Sequence, residues 1–177
     1  MYEIAYGPKH DNDLDIVDIA KLLRAEIKAA VKAGELPKCK YSVRIERYSG
    51  GQSLNVSIKE YQGPIHNRRQ LELDHAIRLG AETIGKDRYR DLYAERATTT
   101  RYTQEVVDLI KALEGMVDQW NYDGSETQVD YFNVNYYSHV SVDSDQVHAE
   151  WVLMMDEIKA GGRDKSGLRI FDPERVA

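Results

Sequence analysis

Residues 129–142 read VDYFNVNYYSHVSV and alternate strictly between two classes of side chain. Phe132, Val134, Tyr136, Val140 and Val142 fall on one side, with Ser138 as the single polar break. Tyr131, Asn133, Asn135, Tyr137, His139 and Ser141 fall on the other. A period of two over that length predicts a long β-strand with one buried and one wet face. Two earlier runs behave alike. Tyr41, Val43 and Ile45 alternate with Ser42, Arg44 and Glu46. Beyond Ser49-Gly50-Gly51-Gln52, Leu54, Val56 and Ile58 alternate with Ser53, Asn55, Ser57 and Lys59. Alternating runs about a Gly-Gly turn predict a β-hairpin over 41–60. A short strand is expected within residues 2–6, ended by Gly7-Pro8.

Elsewhere the spacing is helical. Ile16, Ile19, Ala20, Leu23, Ile27, Ala30 and Val31 form one apolar stripe. It predicts an amphipathic helix over 14–33, with Asp13 as N-cap, Asp15 and Asp18 in the first turn and Gly34 beyond its end. Leu73, Ala76, Ile77 and Ile84 predict a second helix over 70–84, weakened by Gly80. Residues 86–101 are polar and mixed in charge, and fit either a helical extension through Leu92 and Tyr93 or an exposed connection. A third stripe runs from Tyr102 through Val106, Leu109, Leu113 and Val117 to Trp120, and a fourth joins Val147, Trp151, Met154, Met155 and Ile158. Asp143, Ser144 or Asp145 can cap the last helix, and Gly161-Gly162 stops it. Trp151 and the Met154-Met155 pair suit the core or the seam of a homodimer, and stripes at this spacing ordinarily pack inward.

These elements add up to an α+β fold. A small antiparallel or mixed sheet, made of the hairpin 41–60 and the strand 129–142, packs with about four helices. One domain is expected over 1–160. A polar tail follows over 161–177, with an apolar island at Leu168, Ile170 and Phe171.

Composition narrows the class. The 177 residues are 42% hydrophobic and 31% charged, enough to bury a core. No apolar run approaches the roughly 18–20 residues of a membrane span. The opening MYEIAYGPKH lacks the basic and apolar regions of a secretory signal. Cys39 is the single cysteine, so an intrachain disulfide and a cysteine-based zinc site are both excluded. A cytoplasmic setting is expected. Charge is uneven: residues 1–100 carry 17 Lys and Arg against 15 Asp and Glu, and residues 101–177 carry 7 against 15. The acidic C-terminal part disfavours broad phosphate binding and suits either a basic protein partner or simple solubility.

Catalytic and cofactor signatures are missing. There is no HExxH, G-x-S-x-G, S-x-x-K, GxxxxGK[ST] or GxGxxG, and neither cofactor nor metal is expected. Cys39 lies between Lys38 and Lys40, which could lower its pKa, although a linker cysteine is the plainer reading. Asp123, Glu126 and Asp130 surround a turn, where capping and solvation explain them. His66, His75 and His139 could form a composite site only if the fold gathers them. The remaining candidate is the open face of the sheet: Arg44, Tyr48, Asn55, Lys59, Tyr131, Asn133, Asn135, Tyr137 and His139. Such a face can bind a protein through Tyr and Arg, or stack on and read nucleic-acid bases. It can equally be solvated, or covered by a helix as a buried polar network.

One motif set bears a resemblance. Asp18, Lys21 and Arg24 stand as D-x-x-K-x-x-R on the first helix, followed by Tyr41-Ser42-Val43, Gly50-Gly51, Val56 and the later Asp130-Tyr131-Phe132. The pattern resembles the large polyvalent protein-associated domains of type twenty-nine. Tyr41 replaces their usual Phe, Ile58 stands where Trp is common, and residues 64–120 are not covered. The resemblance implies an accessory protein of phages or mobile elements, with no known catalytic residues. The expected function is therefore non-enzymatic protein binding, directed against a host defence system. The alternatives are a nucleic-acid module using the sheet face with Arg68 and Arg69, and a small enzyme with the composite histidine site.

Overall fold

A computed structural model describes residues 5–125 and 133–161. The elements run β1 (Ala5–Tyr6), α1 (Ile16–Ala33), β2 (Lys40–Tyr48), β3 (Gly51–Lys59), α2 (Arg68–Leu79), α3 (Ala81–Ile84), α4 (Lys86–Thr98), α5 (Gln104–Asp118), β4 (Tyr122–Asp123), β5 (Tyr137–Val142) and α6 (Ser144–Gly161). The fold is α+β, as the periodicities require. The span expected as one domain runs through two compact units: Met1–Gln62 with Glu105–Asp143, and Gly63–Gln104 with Ser144–Ala177. The expected tail beyond 161 lies outside the described residues.

The first unit is built on a three-stranded mixed sheet in the order β2-β3-β5. β2 and β3 are antiparallel and β5 runs parallel to β3. Gly50 takes the turn between β2 and β3 with φ +95, a conformation open to glycine and costly for other residues. Val43, Leu54, Val56, Ile58, Val140 and Val142 are buried on one face of the sheet. The stripes of α1 (Ile16, Ile19, Ala20, Leu23, Ile27, Ala30) and α5 (Val106, Leu109, Leu113, Val117) are buried in the same unit. α1 begins two residues later than its pattern suggests. Asp15, not Asp13, is the N-cap, accepting from the backbone N–H groups of Val17 and Asp18. Asp13 sits instead in a turn held by the Asp11 carboxylate. Gly34 closes the helix at φ 80, where a left-handed cap belongs.

The three motif residues on α1 hold structure. Asp18 and Lys21 pair at 2.8 Å along the helix, and the Arg24 guanidinium donates to the Val43 carbonyl at 2.6 Å. Arg24 thereby ties α1 to β2. A second, two-stranded sheet joins β1 to β4 antiparallel. Gly7 makes it feasible. A Cβ there would collide with the backbone carbonyls of Asp118 and Gln119, so only glycine admits this close approach.

The second unit is helical. Leu71, Met155 and Ile158 form one core cluster, with Trp151 and Met154 packed against it. In that stripe Met155 is buried, and Trp151 and Met154 are half-buried against the cluster. Leu73, Ala76 and Leu92 form another, flanked by Ile77 and Ile84. Gly80 and Gly85 adopt φ of 80 and 87 with extended ψ; Gly80 breaks the expected helix 70–84 into α2 and α3, and Gly85 separates α3 from α4. Residues 86–98 then form α4 despite having one buried apolar side chain, Leu92. Ion pairs supply what the pattern lacks: Arg96 meets Asp74 at 2.8 Å, and Arg69 grips Glu95 through two bonds.

Candidate nucleic-acid or protein interface

Register places one continuous surface on the polar side of the sheet. Arg44, Asn55 and His139 are directly opposite one another across β2, β3 and β5. Directly opposed residues share a face. The same face therefore carries Glu46, Ser53 and Tyr137 in the next row, then Tyr48 and Gly51, with Lys59 at the far end. Arg44, Glu46, Tyr48, Tyr137 and His139 are exposed, and Asn55 is half-buried between its neighbours. Six of the nine expected residues are thus gathered: Arg44, Tyr48, Asn55, Lys59, Tyr137 and His139.

The other three are not. Asn133 and Asn135 do not extend β5. β3 reaches back to Gly51, two residues before the Ser53–Tyr137 pairing, yet the ladder does not continue there. Upstream of Tyr137 the chain turns to other contacts. Gln52 donates through its side chain to the Asn135 carbonyl at 2.9 Å, Val134 bridges to Asp123, and the Asn133 side chain accepts from the Tyr122 hydroxyl. The expected strand 129–142 is corrected to 137–142 within the described residues. Tyr131, with residues 129–132, lies outside them.

Gly51 organises the aromatic part of the face. A Cβ at Gly51 would lie 3.2 Å from Tyr48 Cε2 and 3.3 Å from Tyr137 Cε2, so both rings cover this one residue. Aromatic side chains over a strand glycine replace the packing that glycine lacks. Tyr48 and Tyr137 nevertheless remain 50% and 45% exposed. Beside them lies a hollow of about 420 Å3, lined by Arg47, Gly50, Gln52 and Asn135 as well as the two tyrosines. The pattern of alternation marked both tyrosines but not Gly51, because the ring contact depends on register between distant strands.

Electrostatics bear on the nucleic-acid alternative. Lys59 is bound to Asp143 at 3.1 Å, Arg68 to Glu72 and Glu157, and Arg69 to Glu95. Of the four basic residues expected to contact phosphates, Arg44 alone lacks an ion-pair partner among the described residues. Phosphate binding needs unneutralised charge.

The three histidines of the composite site belong to different units. His139 is on the sheet of the first unit, whereas His66 and His75 belong to the second. His66 is buried at 2% exposure, and its Nε2 donates to the Val147 carbonyl at 2.9 Å. Its Nδ1 has no hydrogen-bond partner among the described residues. His75 on α2 has its pKa lowered by burial and by the nearby Lys159 and Arg78. Among the described residues no group of three His, Cys, Asp or Glu side chains is placed to hold a metal ion. Cys39 immediately precedes β2, in keeping with the linker reading. Burial pushes its thiol pKa up, opposite to the effect expected of Lys38 and Lys40, and a hydrogen bond with Tyr41 offsets that in part. A raised pKa leaves little thiolate for nucleophilic chemistry.

No described helix is long and apolar enough to cross a membrane. No family model, curated protein or solved structure matches the chain.

Proposed function

We propose that this chain is a non-enzymatic binding protein that engages a protein partner through the polar face of its three-stranded sheet. The observation that carries the reading is the pair of half-exposed rings, Tyr48 and Tyr137, over Gly51 and next to the Arg44–Asn55–His139 row. Tyr and Arg are the side chains that anchor interfaces, since they offer large area with few rotors and a polar tip. The ion pairs at Lys59, Arg68 and Arg69 weigh against nucleic acid. The motif resemblance supplies the setting: an accessory protein of a phage or mobile element, whose partner would be a component of a host defence system.

Capture from a bacterial lysate tests this. The intact chain is expected to retain a stoichiometric protein, and Tyr48→Ala with Tyr137→Ala to weaken that binding at least tenfold. Recovery of no stoichiometric partner, or equal recovery by the double variant, would remove the reading. Fluorescence anisotropy with single-stranded and duplex DNA and RNA at low salt is expected to stay flat. A salt-sensitive rise lost in Arg44→Ala would favour the nucleic-acid alternative instead.

A further inference from the structure

A second cavity opens in the first unit, about 480 Å3 in volume, where β1, the end of α5, β4 and the approach to β5 meet. Its lining includes Tyr6, Tyr122, Tyr136 and Tyr137, together with Asp118 and Asp123, and neither lysine nor arginine among the described residues. Tyr6 is 58% exposed, and its ring lies 6.0 Å from that of Tyr122. His10 closes the same cluster at 5.2 and 5.1 Å from the two rings. Tyrosine faces carry negative potential and attract cations within about 6 Å.

The carboxylates set the sign of the site. Neither Asp118 nor Asp123 has an ion-pair partner among the described residues, although many other acids of this chain do. Asp123 is held in its charged form: the Ser125 hydroxyl and backbone N–H hydrogen-bond to it and lower its pKa. Both belong to the acidic part of the sequence. Aromatic walls, unpaired anions and a concave shape together select an organic cation over an anion or a neutral group.

We propose that this cavity receives the cationic tip of a lysine or arginine side chain presented by the protein partner. The inference rests on the protein-binding reading, and Tyr137 links the two, because it lines both this cavity and the hollow beside Tyr48. The partner would then be basic where it meets this chain, and the acidic C-terminal part would steer its approach.

The test uses small probes and does not need the partner. Blocked lysine amide and blocked arginine amide are titrated into the intact chain, with blocked glutamine amide as the neutral control. Tyrosine-ring NMR signals report binding. Shifts at Tyr6, Tyr122 and Tyr137 are expected to saturate in about the millimolar range for the two cations and to be absent for the control. Asp118→Asn with Asp123→Asn is expected to weaken both cations about tenfold. Asparagine keeps the acceptor used by Ser125. Should the double variant fail to fold, Asp118→Asn and Tyr6→Leu singly carry the same comparison. Equal shifts with the glutamine amide, or unchanged cation binding in the asparagine variants, would overturn the proposal. A flat titration alongside intact partner capture removes the cavity and keeps the sheet face. An intact titration with no stoichiometric capture does the reverse.

Discussion

Tyr136→Ala is expected to destabilise the first unit by about 3–5 kcal/mol, the range for truncating a buried aromatic side chain. Tyr136 is 1% exposed, among the most completely buried large side chains. Its hydroxyl donates to the Val117 carbonyl at 2.7 Å, at the end of α5. Burial and the nearby Asp118 charge push the hydroxyl pKa above its ordinary value, so it stays a donor. The backbone is pinned as well: the Asn121 side chain accepts from Tyr136 N–H and donates to its carbonyl. One residue therefore fixes the approach to β5 against α5 and β4. Tyr136→Phe separates the two contributions. It keeps the ring and loses one hydrogen bond, for about 1 kcal/mol. The Val117 carbonyl is not left bare, because Trp120 N–H also reaches it at 3.2 Å. The measurement is urea unfolding followed by tryptophan fluorescence in a Trp151→Phe background, where Trp120 alone reports the first unit. A loss below 1 kcal/mol for the alanine variant would show that Tyr136 is not the keystone its burial implies.

Tyr136 also marks where sequence reasoning holds and where it stops. Alternation put it on the buried side and Tyr137 on the wet side, and both are so. Periodicity reads the side a residue faces because that depends on the residue and its neighbours alone. It cannot read where a ladder ends. β5 begins at Tyr137, although β3 reaches back two residues further to Gly51, because the Asn121 side chain, remote in sequence from β3, takes the backbone N–H and carbonyl of Tyr136. Asn133 and Asn135 kept the pattern of a strand while their groups went to Tyr122 and Gln52. The parallel pairing of β3 with β5 was open for the same reason.

The helices divide likewise. α1 was legible because its stripe, its acidic first turn and Gly34 agree. Its cap moved from Asp13 to Asp15 because both lie in an Asp-rich tract, and the choice between them is made by backbone geometry. α4 was not legible, since ion pairs to α2 replace an apolar stripe and their partners, Asp74 and Arg69, are remote in sequence. Of the sheet face, the tyrosines and Arg44 were readable. The cavity beside it was not. Tyr6, Asp118 and Asp123 come from three separate stretches, and the only signal in the chain was its 12 tyrosines against 2 phenylalanines. So many hydroxyl-bearing rings are an incentive to look for aromatic surfaces that face water.

Gly7→Ala is expected to release β1 from the body of the first unit. The approach at Gly7 is between backbone and backbone: an added Cβ would strike the carbonyls of Asp118 and Gln119, and neither can swing aside as a flexible side chain would. Overpacking of this kind costs about 1–3 kcal/mol when the surroundings can shift. Here the cheaper response is local detachment. β1 is two residues long and is held by few bonds, notably Gly7 N–H to the Asn121 carbonyl and Lys9 N–H to the Gln119 carbonyl, both 2.8 Å. The Lys9 amide should therefore lose its protection from hydrogen exchange, while amides of β3 keep theirs. Tyr6 would leave the cavity with β1, so the lysine-amide titration should weaken in this variant although no carboxylate has changed. The sheet face, built on β2, β3 and β5, should be untouched, so partner capture should weaken by the cavity's share alone and should still depend on Tyr48. Unchanged protection at Lys9 in Gly7→Ala would show that the strand has another hold on the unit. Loss of β3 protection would show that β1 carries more of the fold than its length suggests.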